Sequence, residues 1–292
     1  MAVPSTDDTA HRPRTITTYR RDEDGDEKAR YEARDADGNP TLTELYERGR
    51  LTTRQVTTYT PMGKPASIVE QDVLENIEMN YLYTYDEQHR LIERRSVYSD
   101  GSHDSTVYTY DESNNSETIT EQDDDGSTGE IEYNRYDSDG RIVENKITDE
   151  DGDVVGHTRT EYDGNSDRLH RTENLESGMT WVDLYHYTFD ERANVLTTEI
   201  EIEGEGVRRE EQYAYDERGN RTMALILDHE QGRRGKQEMQ YDDHNRITHI
   251  RVYNGEQLLQ EVEYTYGEHG LPATETVITP QGVTEMRYEY EF

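Results

Sequence analysis

The chain has 292 residues, only 30 % of them hydrophobic, with 23 Tyr beside one Trp and two Phe, no Cys, and a formal charge of −35. Without Cys there is no disulfide framework and no thiolate metal site, and the acidic balance argues against nucleic acid or anionic membrane as partners. No window approaches the roughly 18 apolar residues of a spanning helix, so no membrane insertion is expected. Residues 1–14 carry no apolar core of signal-peptide length, so the expected location is cytoplasmic, or outside the cell by a leaderless secretion route.

Composition this polar also fits a disordered chain, but the tyrosines are periodic, and random solvating sequence is not. Only four lysines occur, at Lys28, Lys64, Lys146 and Lys236, against 66 acidic residues. That balance suits a protein kept soluble at high salt, where screening relieves self-repulsion. A halophilic source and an acidic protein from a GC-rich genome account for it equally well.

In chain order, residues 1–14 are polar, hold Pro4 and Pro13, show no alternation, and read as a flexible tail. From Thr15 a repeat array begins. Its mark is an aromatic residue followed by Asp, at Tyr85-Asp86, Tyr110-Asp111, Tyr136-Asp137, Tyr162-Asp163, Phe189-Asp190, Tyr215-Asp216 and Tyr241-Asp242, with degenerate copies at Tyr59-Thr60 and Tyr266-Gly267. The steps between neighbours are 26, 25, 26, 26, 27, 26, 26 and 25 residues, which is a repeat period.

Turn signals arrive twice per repeat. One class follows the Tyr-Asp pair and centres on Gly38, Gly63, His89, Asn114, Gly140, Ser166, Ala193, Gly219, Asn245 and Gly270. The other lies halfway between, at Gly25, Gly49, Asn76, Gly101, Gly126, Gly152, Gly178, Gly204, Gly232, Gly255 and Gly282. Gly and Asn recur because a tight hairpin needs a residue that tolerates positive φ. Asp before the turn can fold its carboxylate onto amides further along.

Segments between turns alternate with period two. Tyr81, Tyr83 and Tyr85 share a face, as do Trp181, Tyr185, Tyr187 and Phe189, then Tyr264 and Tyr266, then Met286, Tyr288, Tyr290 and Phe292. Such segments are half-buried strands, joined too tightly for crossovers. The expected fold is all-β: a twisted antiparallel meander of about 22 strands over residues 15–292, coiled into a spiral or partial tube. Tyr133 and Tyr136 have opposite parity, which predicts a bulge in that copy.

The unit Tyr213-Ala214-Tyr215-Asp216-Glu217-Arg218-Gly219-Asn220, repeated as Tyr83-Thr84-Tyr85-Asp86-Glu87-Gln88-His89-Arg90, resembles the YD repeat of the RHS-repeat proteins. The resemblance covers residues 15–292. It implies a spiralling β-sheet, as in shells that enclose a toxic C-terminal domain and in teneurin-like adhesion proteins. The match has departures. The period exceeds the family's commoner unit of roughly 20 residues, nothing resembles the self-cleaving segment that ends a toxin shell, and no cargo domain is expected beyond Phe292.

Sites of chemistry are scarce. The clusters Asp22-Glu23-Asp24-Gly25, Asp35-Ala36-Asp37-Gly38, Asp123-Asp124-Asp125-Gly126 and Asp149-Glu150-Asp151-Gly152 resemble the start of a calcium loop but lack the bidentate acid at its far end. Turn chemistry accounts for them, leaving weak cation binding as the residual expectation. The histidines, His89, His186, His244 and His269 among them, show no metal-binding spacing. No nucleophile elbow or phosphate loop occurs, so no catalytic residue, metal ligand or cofactor is expected. The residues singled out are structural: Tyr85, Asp86, Tyr110, Asp111, Tyr136, Asp137, Gly140, Tyr162, Asp163, Phe189, Asp190, Tyr215, Asp216, Gly219, Tyr241, Asp242 and Tyr266.

The sequence therefore points to a non-enzymatic β-repeat scaffold whose acidic face or loops bind a protein or carbohydrate partner. Alternatives are a shell or cargo-associated component of an RHS-like toxin or secretion system, and a calcium-assisted surface adhesin.

Overall fold

The computed structural model describes residues 12–22 and 25–292, so Glu23 and Asp24 of the first acidic cluster, and residues 1–11 of the expected tail, lie outside the described residues. Of the remaining tail residues, Arg12 donates to the Asp37 carbonyl at 2.7 Å and the Arg14 amide donates to the Glu291 carbonyl at 2.6 Å. All regular structure described is β. Twenty-two strands, numbered β1 to β22 in chain order, belong to one sheet. Their pairings are antiparallel between sequence neighbours, as the turn spacing predicts.

The first and last strands of the meander are paired with each other. β1 (Thr15–Asp22) pairs on one side with β2 (Gly25–Arg34) and on the other with β22 (Gly282–Glu291), from Thr15↔Glu291 to Arg21↔Glu285. The first and last strands thus satisfy each other's ladder groups within the first unit. An open edge on either strand would be a template for aggregation, and this pairing covers it.

The turns follow the sequence with two exceptions. Positive φ falls on Gly140 (79°), Gly219 (87°) and even Ala193 (64°), three residues after the motif Asp. After Asp111 the left-handed residue is Asn115 (49°), where Asn114 was expected, and after Asp163 it is Gly164 (56°), where Ser166 was expected. The Asp163 turn is one residue longer, its amide bonding the Arg168 carbonyl. That insertion produces the 27-residue step from Tyr162 to Phe189. Halfway turns at Arg48-Gly49 and Ser177-Gly178 have both central residues at positive φ, the geometry that matches the twist of hairpin strands.

The bulge expected in one copy is present in nearly all. Between β10 (Thr128–Tyr136) and β11 (Ile142–Thr148) the register slips between Arg135 and Tyr136, so that Val143 is the extra residue. The same slip precedes Tyr59, Tyr85, Tyr162, Phe189, Tyr215 and Tyr241. The extra residue lies in the return strand, so it leaves the opposite parity of Tyr133 and Tyr136 within β10 unexplained: the bulge belongs to the repeat, and the parity of Tyr133 did not report it.

The strands form two compact units. Described residues up to Ser105 together with Val262–Phe292 make one, and Thr106–Glu261 the other. In the first, Tyr81, Tyr83 and Tyr85 are half-buried and alternate with exposed Leu82 and Thr84. In the second, register places Trp181, Asp183, Tyr185 and Tyr187 on the same face as Thr172, Asn174, Thr198 and Ile200. Burial is thin. Among the described residues the buried apolar side chains are Pro13, Ala224, Met239 and Val262, beside eight buried polar ones that include Glu32 and Asp183.

Candidate functional site

The motif aspartates are consumed by their own turns. Asp137 Oδ1 accepts the amides of Asp139 (2.9 Å) and Arg141 (3.0 Å), while Oδ2 accepts Arg141 Nε at 2.7 Å. Asp216 does the same with Arg218, Asn220 and the Asn220 side chain, and Asp190 and Asp242 repeat the pattern. This is why Asp is followed four residues later by Arg or Asn. The guanidinium of Arg246 holds the Asp242 carboxyl down to about 2, and amide donation from Arg141 lowers Asp137.

Adjacent turns are then tied together. Arg141 Nη1 donates to the Ser166 carbonyl at 2.6 Å, Arg218 Nη1 to the Asp242 carbonyl at 3.2 Å, and Asn220 Nδ2 to Asn245 Oδ1 at 3.0 Å. Arg192 reaches the Glu217 carbonyl in the same manner.

The motif tyrosines make the second half of the clasp. The hydroxyl donates to the carbonyl of the residue that opens the preceding return strand: Tyr85 to Pro65 (2.8 Å), Tyr162 to Ile142 (2.8 Å), Tyr215 to Val195 (2.9 Å) and Tyr241 to Arg221 (2.9 Å). These carbonyls sit beside the bulge, so the recurrent bulge and the recurrent hydroxyl belong to one device. Tyr136 instead donates to the Glu117 carboxylate, and burial together with that carboxylate raises its hydroxyl above the ordinary range. Phe189 has no hydroxyl. Its ring lies 6.3 Å from that of Tyr187 and 4.8 Å from the Arg168 guanidinium. Tyr110 and Tyr266 fall at the corresponding ends of β8 (His103–Asp111) and β20 (Gln257–Tyr266). Asp111 accepts Ser113 and Asn114, whereas Asp163 reaches Arg168 only at 3.4 Å across its longer turn.

The opposite strand ends carry the clefts. In the second unit a cleft of 480 Å³ is lined by Trp181, Asn174, Leu175, Thr180, Val182, Ile202, His157, Arg159, Glu173, Glu203 and Glu205. A neighbouring one of 420 Å³ shares His157, Asn174, Leu175 and Trp181 and adds Glu130 and Glu176. These residues come from β10, β12 (Val154–Tyr162), β13 (Leu169–Glu176), β14 (Met179–Phe189), the last residue of β15 (Val195–Ile202) and the turn after it.

Behind the clefts runs a polar ladder that sequence reasoning missed. Where β6 (Ile77–Tyr85) places Tyr81 and Tyr83, β10 places Glu132 and Asn134. Asn145 donates to Glu132 (2.6 Å) and to Asn134 (2.8 Å), and Thr158 donates to Asn174 at 3.3 Å. Asn174 (3.2 Å) and Trp181 Nε1 (3.0 Å) both donate to Asp183 Oδ2, where Arg208 also approaches to 3.3 Å. The signal was available: Asn134, Asn145 and Asn174 interrupt aromatic or aliphatic positions of the repeat.

Asp183 is 3 % exposed and its Oδ1 has no hydrogen-bond partner. Glu32 in the first unit is as deeply buried, at 5 %, but both its oxygens are met, by Arg30 at 2.7 Å and Arg34 at 2.6 Å. A buried carboxylate is costly unless its lone pairs are satisfied, so Asp183 is the less settled of the two.

Among the described residues no group of three or more His, Asp or Glu is placed to hold a metal ion. The acidic turns bond inward instead, Asp149 Oδ1 accepting the amides of Asp151 (3.1 Å) and Asp153 (2.9 Å). His186 lies 3.7 Å from Glu201, and the His269 ring packs on Phe292 at 4.6 Å.

No protein-family model and no curated protein matches the chain. Among solved structures it is similar to a chain of the TcdB2-TccC3-Cdc42 crystal structure, at 14 % identity and TM-score 0.32, over 83 % of this chain and 16 % of that one. A chain of a mutant Tc holotoxin pore from Photorhabdus luminescens matches at 12 % identity and TM-score 0.29, over 87 % of this chain and 19 % of that one. A porin-like protein from Bacteroides uniformis matches at 9 % identity and TM-score 0.30, over 96 % and 98 %. The chain thus spans less than a fifth of the two toxin-system chains, and all three superpose loosely.

Proposed function

We propose that the chain is a non-enzymatic β-repeat scaffold presenting an acidic surface for binding a protein or carbohydrate partner. The observation that carries this reading is the division of labour along each strand. Motif residues at one end are occupied by internal hydrogen bonds, whereas clefts lined by Trp181, Glu203 and Glu205 open at the other. With a charge of −35, the partner surface is basic or neutral. The test is calorimetric titration of the full chain with a panel of basic peptides and neutral oligosaccharides. Saturable binding by at least one member is expected. No saturable binding by any member overturns the reading, as does hydrolysis of one that a single substitution abolishes.

A second reading is favoured by the iterated YD unit combined with the pairing of the first and last strands: a shell or cargo-associated component of an RHS-like system. A genomic neighbourhood without toxin, secretion or immunity genes removes it.

A further inference from the structure

Resting on the scaffold reading, we propose that the paired cleft around Trp181 is a pocket for the cationic side chains of a basic peptide, with the indole as the platform on which a guanidinium or ammonium group stacks. Trp181 is the single tryptophan of the chain, and it lines both cavities, of 480 and 420 Å³. Each is of the size that holds a small ligand or one long side chain.

The ring is fixed before any ligand arrives. Its Nε1 donates to Asp183 at 3.0 Å, the Asp183 side chain is 4 % exposed, and Asn174 and Arg208 hold the same oxygen. A platform that needs no reordering loses less entropy on binding.

Charge selects the ligand. Glu130, Glu176, Glu203 and Glu205 line the two cavities and have no cationic partner within 4.0 Å among the described residues. Of the lining basic groups, Arg159 lies 3.4 Å and His157 2.9 Å from Glu144, and the lining Glu173 is paired with Arg171, whose charge also reaches Glu203. An aromatic face ringed by unpaired carboxylates attracts a cation through both the ring quadrupole and the surrounding field. It repels phosphate and carboxylate. A neutral sugar would stack on the ring and donate hydroxyls to the acids, but it would gain nothing from their charge field and would bind without salt dependence.

The test uses the full chain and its tryptophan fluorescence. An N-acetylated tetra-arginine amide is titrated in, with a tetra-glutamine peptide and a neutral oligosaccharide as controls. Saturable quenching by the arginine peptide alone is expected, weakening at least about tenfold as salt rises from about 50 to about 500 mM. By calorimetry, Trp181→Ala loses at least about tenfold in affinity, Trp181→Phe less, and the Glu203→Gln/Glu205→Gln pair several-fold with the ring intact. Circular dichroism confirms that each variant folds, and the carboxylate pair carries the test if the Trp variants do not. Peptide binding unchanged in Trp181→Ala overturns the pocket and leaves the scaffold reading standing. Salt-independent quenching by the oligosaccharide alone also overturns it. Binding of nothing in the panel overturns both.

Discussion

The two ends of the strands in the second unit draw on the same side chains and use them in opposite ways. At the Tyr-Asp end, Asp137, Asp190, Asp216 and Asp242 each accept two or more donors from their own turn. Across the sheet's width, Glu130, Glu176 and Glu205 face clefts. In a chain with 66 acidic residues, the number of carboxylates says nothing about binding. Whether a carboxylate already has its donors does.

Breaking the clasped end should produce the largest effect. Replacing Asp216 and Asp242 together by Ala removes the acceptors of two consecutive turns and is expected to lower the urea midpoint well below that of the parent. Glu203→Gln with Glu205→Gln should stay within about 0.5 kcal/mol. Similar losses from both pairs would erase the contrast between the ends. Next in size, Tyr241→Phe deletes the bond to the Arg221 carbonyl and is expected to cost about 0.5 to 1.5 kcal/mol in chemical denaturation.

Acid should act on the same end. The folded carboxyl of Asp242 is depressed to about 2 by Arg246, and those of Asp137 and Asp190 are depressed too. A depressed pKa contributes stability that is fully present above the unfolded value of roughly 3.9 and is lost as pH falls through the folded value. The stability gap between parent and Asp242→Ala is therefore expected to be constant near neutrality and to close between about pH 4 and pH 2. A gap independent of pH would show that the carboxylate is not the operative group. The smallest and broadest effect is salt. If the acidic balance reflects life at high salt, far-UV circular dichroism should gain strand signal toward molar salt as screening relieves self-repulsion, and identical spectra throughout would exclude that origin.

Much of the clasp was legible beforehand, because a repeat prints its hydrogen-bond needs as a period. Asp at a fixed place, followed by Gly and then Arg or Asn, is the sequence image of Asp216 reaching Arg218 and Asn220. The tyrosine hydroxyl bonds were not legible. They join Tyr215 to a carbonyl 20 residues back, and backbone carbonyls leave no mark in sequence. The pairing of Thr15 with Glu291 was equally silent, since it joins residues 276 positions apart and no local signal announces it. The cleft escaped because Trp181 fits the aromatic alternation and passes for a packing residue until the Asn174 and Asp183 bonds are seen beside it.

Native-state amide hydrogen exchange reads the central contrast at the atoms concerned. Slow exchange is predicted for the amides of Asp139, Arg141, Asn194 and Asn220, which donate to motif carboxylates, and it should be lost turn by turn in Asp137→Ala, Asp190→Ala and Asp216→Ala, while Glu203→Gln with Glu205→Gln leaves the amides of Glu203 and Glu205, which donate to the Val182 and Ile202 carbonyls, as slow as in the parent. Exchange at the aspartate turns that is unchanged by loss of their carboxylates, or exchange at Glu203 that is accelerated by the Gln pair, would contradict the account.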